Sequence, residues 1–329
     1  MSVLGALQLI ALAGAAFALL SGGLVSCCTP LVSFLTASWS PERRHRALLL
    51  LSVTPVVFSV VGVLAVLAPS FLAFIWPAYD HCLRHADHHL HLCLVHLPQQ
   101  LGNATSWLVL ALVFGWLAVS AARAIAELHR ASRWAARLRV HGRGDAVLGA
   151  SVLPTGAPLC LLAGIFRPTL FLSEGLLAQM GPEQIAIILH HERAHAARRD
   201  ILARLAARAG SVFLWPSARA HLLEALELAA EQSCDEAAAS RVGDRLQVAE
   251  AILKVERLLQ NAASRLSPLT VAFGGDGVPQ RVSALLEARR CSGNVVALGV
   301  GFAMLLCGVL AGSLPLHHAT ESLLGALTH

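Results

Sequence analysis

Four stretches of this 329-residue chain contain no Asp, Glu, Lys or Arg: residues 1–41, 47–79, 104–122 and 291–320. Each can hold the ~20 apolar residues that a helix needs to cross a bilayer. Only 14% of the residues are charged, against about 25% in soluble domains. The composition therefore excludes an ordinary soluble protein and predicts an integral membrane protein.

The runs predict four spans, at 1–37, 47–75, 104–125 and 292–314. Between them lie a short basic loop at 38–46, a loop at 76–103 and a polar unit at 126–290; a tail at 315–329 follows the last. Lys and Arg favour the cytoplasmic side of a membrane. Arg43, Arg44 and Arg46 fill the first loop, and Arg123, Arg130, Arg133, Arg137, Arg139 and Arg143 follow the third run. The second loop holds Arg84 alone, and the tail holds no Lys or Arg. The expected topology puts both termini and the second loop outside, with the polar unit in the cytoplasm. Such a chain is a multi-pass protein of the inner (cytoplasmic) cell membrane. No Lys or Arg precedes Arg43, so the N-terminus is read as a retained span, not a cleaved signal peptide. The formal charge of +5 follows from the same topology. The arginines at 130–143 are read as a membrane-surface determinant, with no direct nucleic-acid partner.

Within the polar unit, Leu159–Ala163 and Ile165–Leu172 read as short strands joined near Gly164. Pro168 cannot donate to a ladder, so the second is expected at an edge. Gly181-Pro182-Glu183-Gln184 starts a helix that continues to about Ala197. Further helices are expected at about 218–240 and 245–260.

The first of these helices carries His191-Glu192-Arg193-Ala194-His195, an H-E-x-x-H motif. Residues four apart share one helix face, so two imidazoles can reach one tetrahedral zinc ion. Glu192 falls beside them, placed to take a proton from water as general base. A catalytic zinc needs a third protein ligand, and Glu231 is the best candidate. Glu224, Glu227, Glu231 and Asp235 lie near one face of their helix, where like charges repel and a bound cation would relieve them. Asp235 is placed to accept from the free ring nitrogen of a ligand His. The competing interpretation is a solvated acidic face. Cys234 is read as a small buried residue, and the absence of any C-x-x-C pair excludes a zinc ribbon or a thioredoxin-like site.

The motif at His191–His195, then Arg199-Asp200, Trp215-Pro216 and Glu231–Asp235 resembles the BlaR/MecR family of membrane metallopeptidases, the antirepressor sensor-transducers. The stretch from Gly164 to Leu177 resembles the family's lead-in to the zinc helix. The resemblance implies a mainly α membrane protein with four transmembrane helices and a cytosolic α+β zinc peptidase domain of the gluzincin type, carrying a small sheet. It implies Zn2+ held by His191, His195 and Glu231, with Glu192 as base and Asp235 as support. It implies a protein substrate, a cytosolic transcriptional repressor, with self-cleavage besides. It also implies that an edge strand, Ile165, Phe166, Arg167, Thr169, Leu170 and Phe171, holds the substrate by strand addition. Two features depart from the pattern. The usual Arg shortly before the Glu ligand is missing from Leu226–Ala230. No penicillin-binding domain follows the last span, so acylation by a β-lactam is not the expected signal.

The second loop packs His81, His85, His88, His89, His91 and His96 among Cys82 and Cys93. Histidine-rich tracts bind transition metals, so this loop is a candidate input site for a metal ion or for pH; an interfacial segment without ligand is the competing interpretation. Two other functions stay open from sequence: a housekeeping membrane protease of the CAAX-protease or heat-shock type, and a non-catalytic metal-sensing receptor.

Overall fold

A computed structural model describes residues 3–76, 104–165, 167–263, 277–287 and 295–326. Helices α1 (Val3–Leu35), α2 (Pro41–Ile75) and α3 (Ala104–His141) are each long and apolar enough to cross a membrane. Leu9, Leu12 and Ala13 of α1 are buried against Val66 and Leu67 of α2 and Leu110 of α3. The third helix does not stop where its charge-free run stops. No Gly or Pro interrupts residues 116–141, and Ala, Arg and Leu are strong helix formers. The helix therefore continues to His141, into residues assigned above to the polar unit.

Four strands follow: β1 (Arg143–Asp145), β2 (Ala150–Leu153), β3 (Cys160–Ala163) and β4 (Thr169–Ser173). Their order in the sheet is β1-β2-β4-β3. This corrects the expected edge. Thr169, Leu170 and Phe171 belong to β4, which is paired with β2 on one side and β3 on the other. Ile165 and Arg167 precede that strand, and Phe166 lies outside the described residues. Pro168 stands just before β4, so its missing N–H costs the ladder nothing. The edge strand on this side is β3. Leu153, Leu161, Ala163 and Phe171 face Ala135 of α3, while Leu170 and Leu172 pack on the other face against Ile188 and Leu189.

The rest of the polar unit is helical: α4 (Glu174–Leu177), α5 (Pro182–Arg198), α6 (Asp200–Gly210), a 3-10 turn at 211–213, α7 (Pro216–Val242), α8 (Arg245–Ala263) and α9 (Val278–Leu286). The α6–α7 turn is wedged against the membrane helices. A Cβ on Gly22 of α1 would sit 2.4 Å from the Phe213 carbonyl oxygen, and one on Gly210 would sit 2.7 Å from the Ser52 carbonyl oxygen of α2. Only glycine allows either approach. Trp215 N–H donates to Ser26 Oγ across the same joint (3.0 Å), and Val25, Leu48, Ala207, Leu214 and Leu222 close over it. The two helices that flank this turn are thereby mounted directly on α1 and α2.

In place of the single segment expected at 292–314 stand α10 (Val295–Ala311) and α11 (Ser313–Ala326), bent by 70°. Gly312 sits at the break, and Pro315 lacks the N–H that would continue the ladder to Ala311. By length and composition the described residues hold three spans, or four if the bent pair crosses as one.

Candidate metal centre

Helix α5 begins at its sequence signal. Gly181 N–H donates to the Gln184 side chain (3.1 Å), and Pro182 takes the first turn, where no N–H is needed. Ile187, Ile188 and Leu189 are buried in the core, which turns His191 and His195 toward α7. Their rings meet edge to face, and the two Nε2 atoms are 3.1 Å apart. Glu231 of α7 reaches both: Oε2 is 3.4 Å from His191 Nε2, and Oε1 is 3.4 Å from His195 Nε2.

The outer ring nitrogens are also engaged. Asp235 Oδ1 lies 2.9 Å from His191 Nδ1, and Asp200 Oδ2 lies 2.7 Å from His195 Nδ1. Asp200 arrives there because Arg199, between α5 and α6, adopts the left-handed conformation (φ 56°, ψ 42°). That conformation costs a non-glycine residue about 1–2 kcal/mol, and here it reverses the chain so that the next side chain faces back onto α5. Arg198 Nε and Cys234 Sγ both donate to Asp200, at 3.2 and 3.7 Å. His195, Asp200 and Cys234 thus form a second cluster of metal-competent atoms. It lies on the Nδ1 side of His195, where the hydrogen bond to Asp200 makes it a support, not a separate site.

A neutral imidazole carries one N–H. The aspartates draw it to Nδ1 on both rings, which turns both Nε2 lone pairs toward each other and toward the Glu231 carboxylate. Three acceptors then converge in a partly buried space. Their complement is a cation, and His191, His195 and Glu231 are the residues that could hold one. Without a metal, protons serve. Burial opposes charge on the histidines, but Asp235 and Glu231 outweigh it at His191, and Asp200, Cys234 and Glu231 at His195, so both pKa values rise above 6.5. Burial would likewise raise Glu231, yet the two histidines hold its carboxyl well below the usual range.

Sequence reasoning missed Arg281. From α9 it donates through Nε and Nη2 to both Asp235 oxygens, at 2.8 and 2.7 Å, and its Nη1 lies 3.2 Å from Glu231 Oε2. It supplies the cationic support that Leu226–Ala230 lacks. Its one local signal is a charge set beside the apolar positions Val278, Val282 and Leu285. Burial pushes the Asp235 pKa up, but Arg281 and His191 pull it below the ordinary 3.8.

Glu192 lines the same cleft, of about 250 Å³, with Cys160, Leu161 and Leu162 of β3 and Val248, Ile252 and Val255 of α8. Its Oε1 accepts from Cys160 Sγ at 3.5 Å. Burial and the Glu192 carboxylate push that thiol well up, so it stays protonated. The six histidines of the 76–103 loop, with Cys82 and Cys93, lie outside the described residues.

Paired imidazoles on α5, a carboxylate from α7 and a second carboxylate in the adjoining cleft, in a chain whose α1, α2 and α3 are long and apolar enough to cross a membrane, are compatible with a membrane-bound peptidase of the metal-dependent class. The family model for the BlaR1 peptidase, M56, matches residues 99–285, more than half of the chain. The chain belongs to that family of membrane metallopeptidases. No curated protein and no solved structure matches it.

Proposed function

We propose that this protein is a zinc endopeptidase that transduces a signal by cutting a cytosolic transcriptional repressor, and itself in addition. The observation that carries the peptidase chemistry is the convergence of His191 Nε2, His195 Nε2 and Glu231 beside a cleft that also holds Glu192. Two nitrogens at about 2.05 Å from a tetrahedral zinc are about 3.3 Å apart; the observed 3.1 Å fits. When bound, zinc supplies Lewis acidity that polarises a peptide carbonyl and makes water nucleophilic near neutral pH. Glu192, which lines the cleft, would take a proton from the attacking water and give it to the leaving amine. Asp200 and Asp235 fix the tautomers that leave Nε2 free, and Arg281 holds Asp235 and Glu231 in place.

The substrate-strand proposal now falls on β3, whose residues Cys160–Leu162 line the cleft, rather than on the paired strand β4. The antirepressor role is supported by the family and by the arginine distribution, which favours the cytoplasmic side for the peptidase unit. The histidine-rich outer loop is the proposed input, through a metal ion or through proton uptake. The test compares wild type with Glu192→Gln, measuring zinc stoichiometry and proteolysis together. Zinc should stay near one per chain while cleavage is lost. Undiminished cleavage by the variant would remove Glu192 from the chemistry, and absence of zinc from wild type would end the metallopeptidase reading. A repressor that stays intact in cells carrying Glu192→Gln supports the signalling role.

A further inference from the structure

We propose that β3 and the far half of α3 select an extended substrate segment whose side chains alternate between acidic and aliphatic. The inference rests on the peptidase reading above and names the substrate class for that site.

Among the described residues β3 has one strand partner, β4, and its first three residues line the cleft. A segment added to this strand would continue its two faces, with successive side chains pointing opposite ways. The faces differ in chemistry. Leu161 and Ala163 point to the side of α3; Cys160 and Leu162 point to the side of α5. On the latter side the cleft wall is Val248, Ile252, Val255 and Leu259 of α8, an apolar stripe with Glu256 beside it. On the former side the wall is Trp134 of α3. Trp134 also lines an adjoining open depression of about 450 Å³, whose charged residues are Arg130, Arg133 and Arg137.

These three arginines share one stripe of α3 and are exposed. Among the described residues none of them meets a carboxylate. Glu127, the nearest acid on the helix, is engaged by Arg208 at 3.0 Å. Lipid headgroups are the other source of negative charge, and the helix geometry argues against them. At 1.5 Å per residue, Arg130 lies about 12 Å and Arg137 about 22 Å past Ala122, the last residue of the charge-free run. A headgroup layer is only about 5–8 Å deep. On an upright helix the stripe therefore extends past the headgroups, and through Trp134 it adjoins the cleft, where a polypeptide would meet it.

The test uses the full chain carrying Glu192→Gln, which leaves bound peptide uncut, in nanodiscs of phosphatidylcholine. Fluorescent ten-residue peptides alternating Glu with Leu are compared by anisotropy with the same peptides carrying Gln or Lys for Glu. The Glu peptide should bind about 10- to 100-fold more tightly than the Gln peptide, from three partly screened charge pairs. The ratio should shrink with salt and approach one in Arg130→Gln/Arg133→Gln/Arg137→Gln. Equal or undetectable binding of the three peptides overturns the proposal. So does a triple variant whose peptide preference persists but whose association with phosphatidylglycerol vesicles is lost, since the arginines would then serve lipid. A Glu peptide that binds with the expected preference yet is left intact by wild type would count against the peptidase reading and leave the binding surface standing.

Discussion

Asp235→Asn separates two roles of one carboxylate. Asp235 is 1% exposed and pairs with an Arg281 side chain that is 19% exposed. Asparagine keeps the shape and a carbonyl oxygen for His191 Nδ1 and Arg281 Nη2, but its NH2 faces Arg281 Nε, so a donor meets a donor. Stranding one partner of a buried ion pair costs about 3–5 kcal/mol. Arg281 retains Glu231 at 3.2 Å, which places the expected loss near the lower end, about 3 kcal/mol. The amide is also a weaker acceptor for the His191 N–H, and such a change behind a ligand lowers metal affinity about 10- to 100-fold. Thermal unfolding of the zinc-free full chain in detergent measures the first effect, and competition with a chelating indicator measures the second. Asp235→Asn/Arg281→Met removes the stranded cation and should recover most of the lost stability. The reasoning fails if Asp235→Asn melts and binds zinc like wild type, or if the double variant is as unstable as the single one.

The pH dependence of stability should change sign with zinc. In the zinc-free chain His191 and His195 have raised pKa values, so their stabilising contribution is complete below about 6.5 and is lost as pH rises through the folded values. With zinc the same histidines must be deprotonated, so stability should rise with pH instead. Melting curves from about pH 5.5 to 8.5, with chelator or with zinc, check this; parallel slopes would refute it. At the membrane joint, Gly22→Ala should destabilise by about 1–3 kcal/mol through overlap with the Phe213 backbone. Gly23→Ala, whose Cβ meets nothing within 4 Å, should be neutral or gain up to about 1 kcal/mol of helix propensity. Equal melting of the two variants would show that the joint is not close-packed.

Much of the scaffold was legible because its signals are local. Charge-free runs mark α1, α2 and α3 within one segment each, and Gly181-Pro182 marks the start of α5 beside the motif it carries. Glu231 could be singled out from its acidic helix face and the family pattern. The edge of the sheet was misassigned because Pro168 was counted inside a strand that begins one residue later, and because a strand's place is set by partners distant in sequence. The bend at Gly312 was missed because hydropathy reports apolar length and says nothing of direction.

The sequence by itself determined that the chain is a membrane protein and that two imidazoles and a carboxylate share one turn of helix, since both follow from residue type and spacing. Only the tertiary structure decided which groups surround them. Asp200 turns back from α6 onto His195, Arg281 comes from α9 to hold Asp235 and Glu231, and the α6–α7 turn seats on Gly22. Buried charges are set by neighbours in space, at distances over which burial leaves little water to screen them, and no local pattern encodes those neighbours.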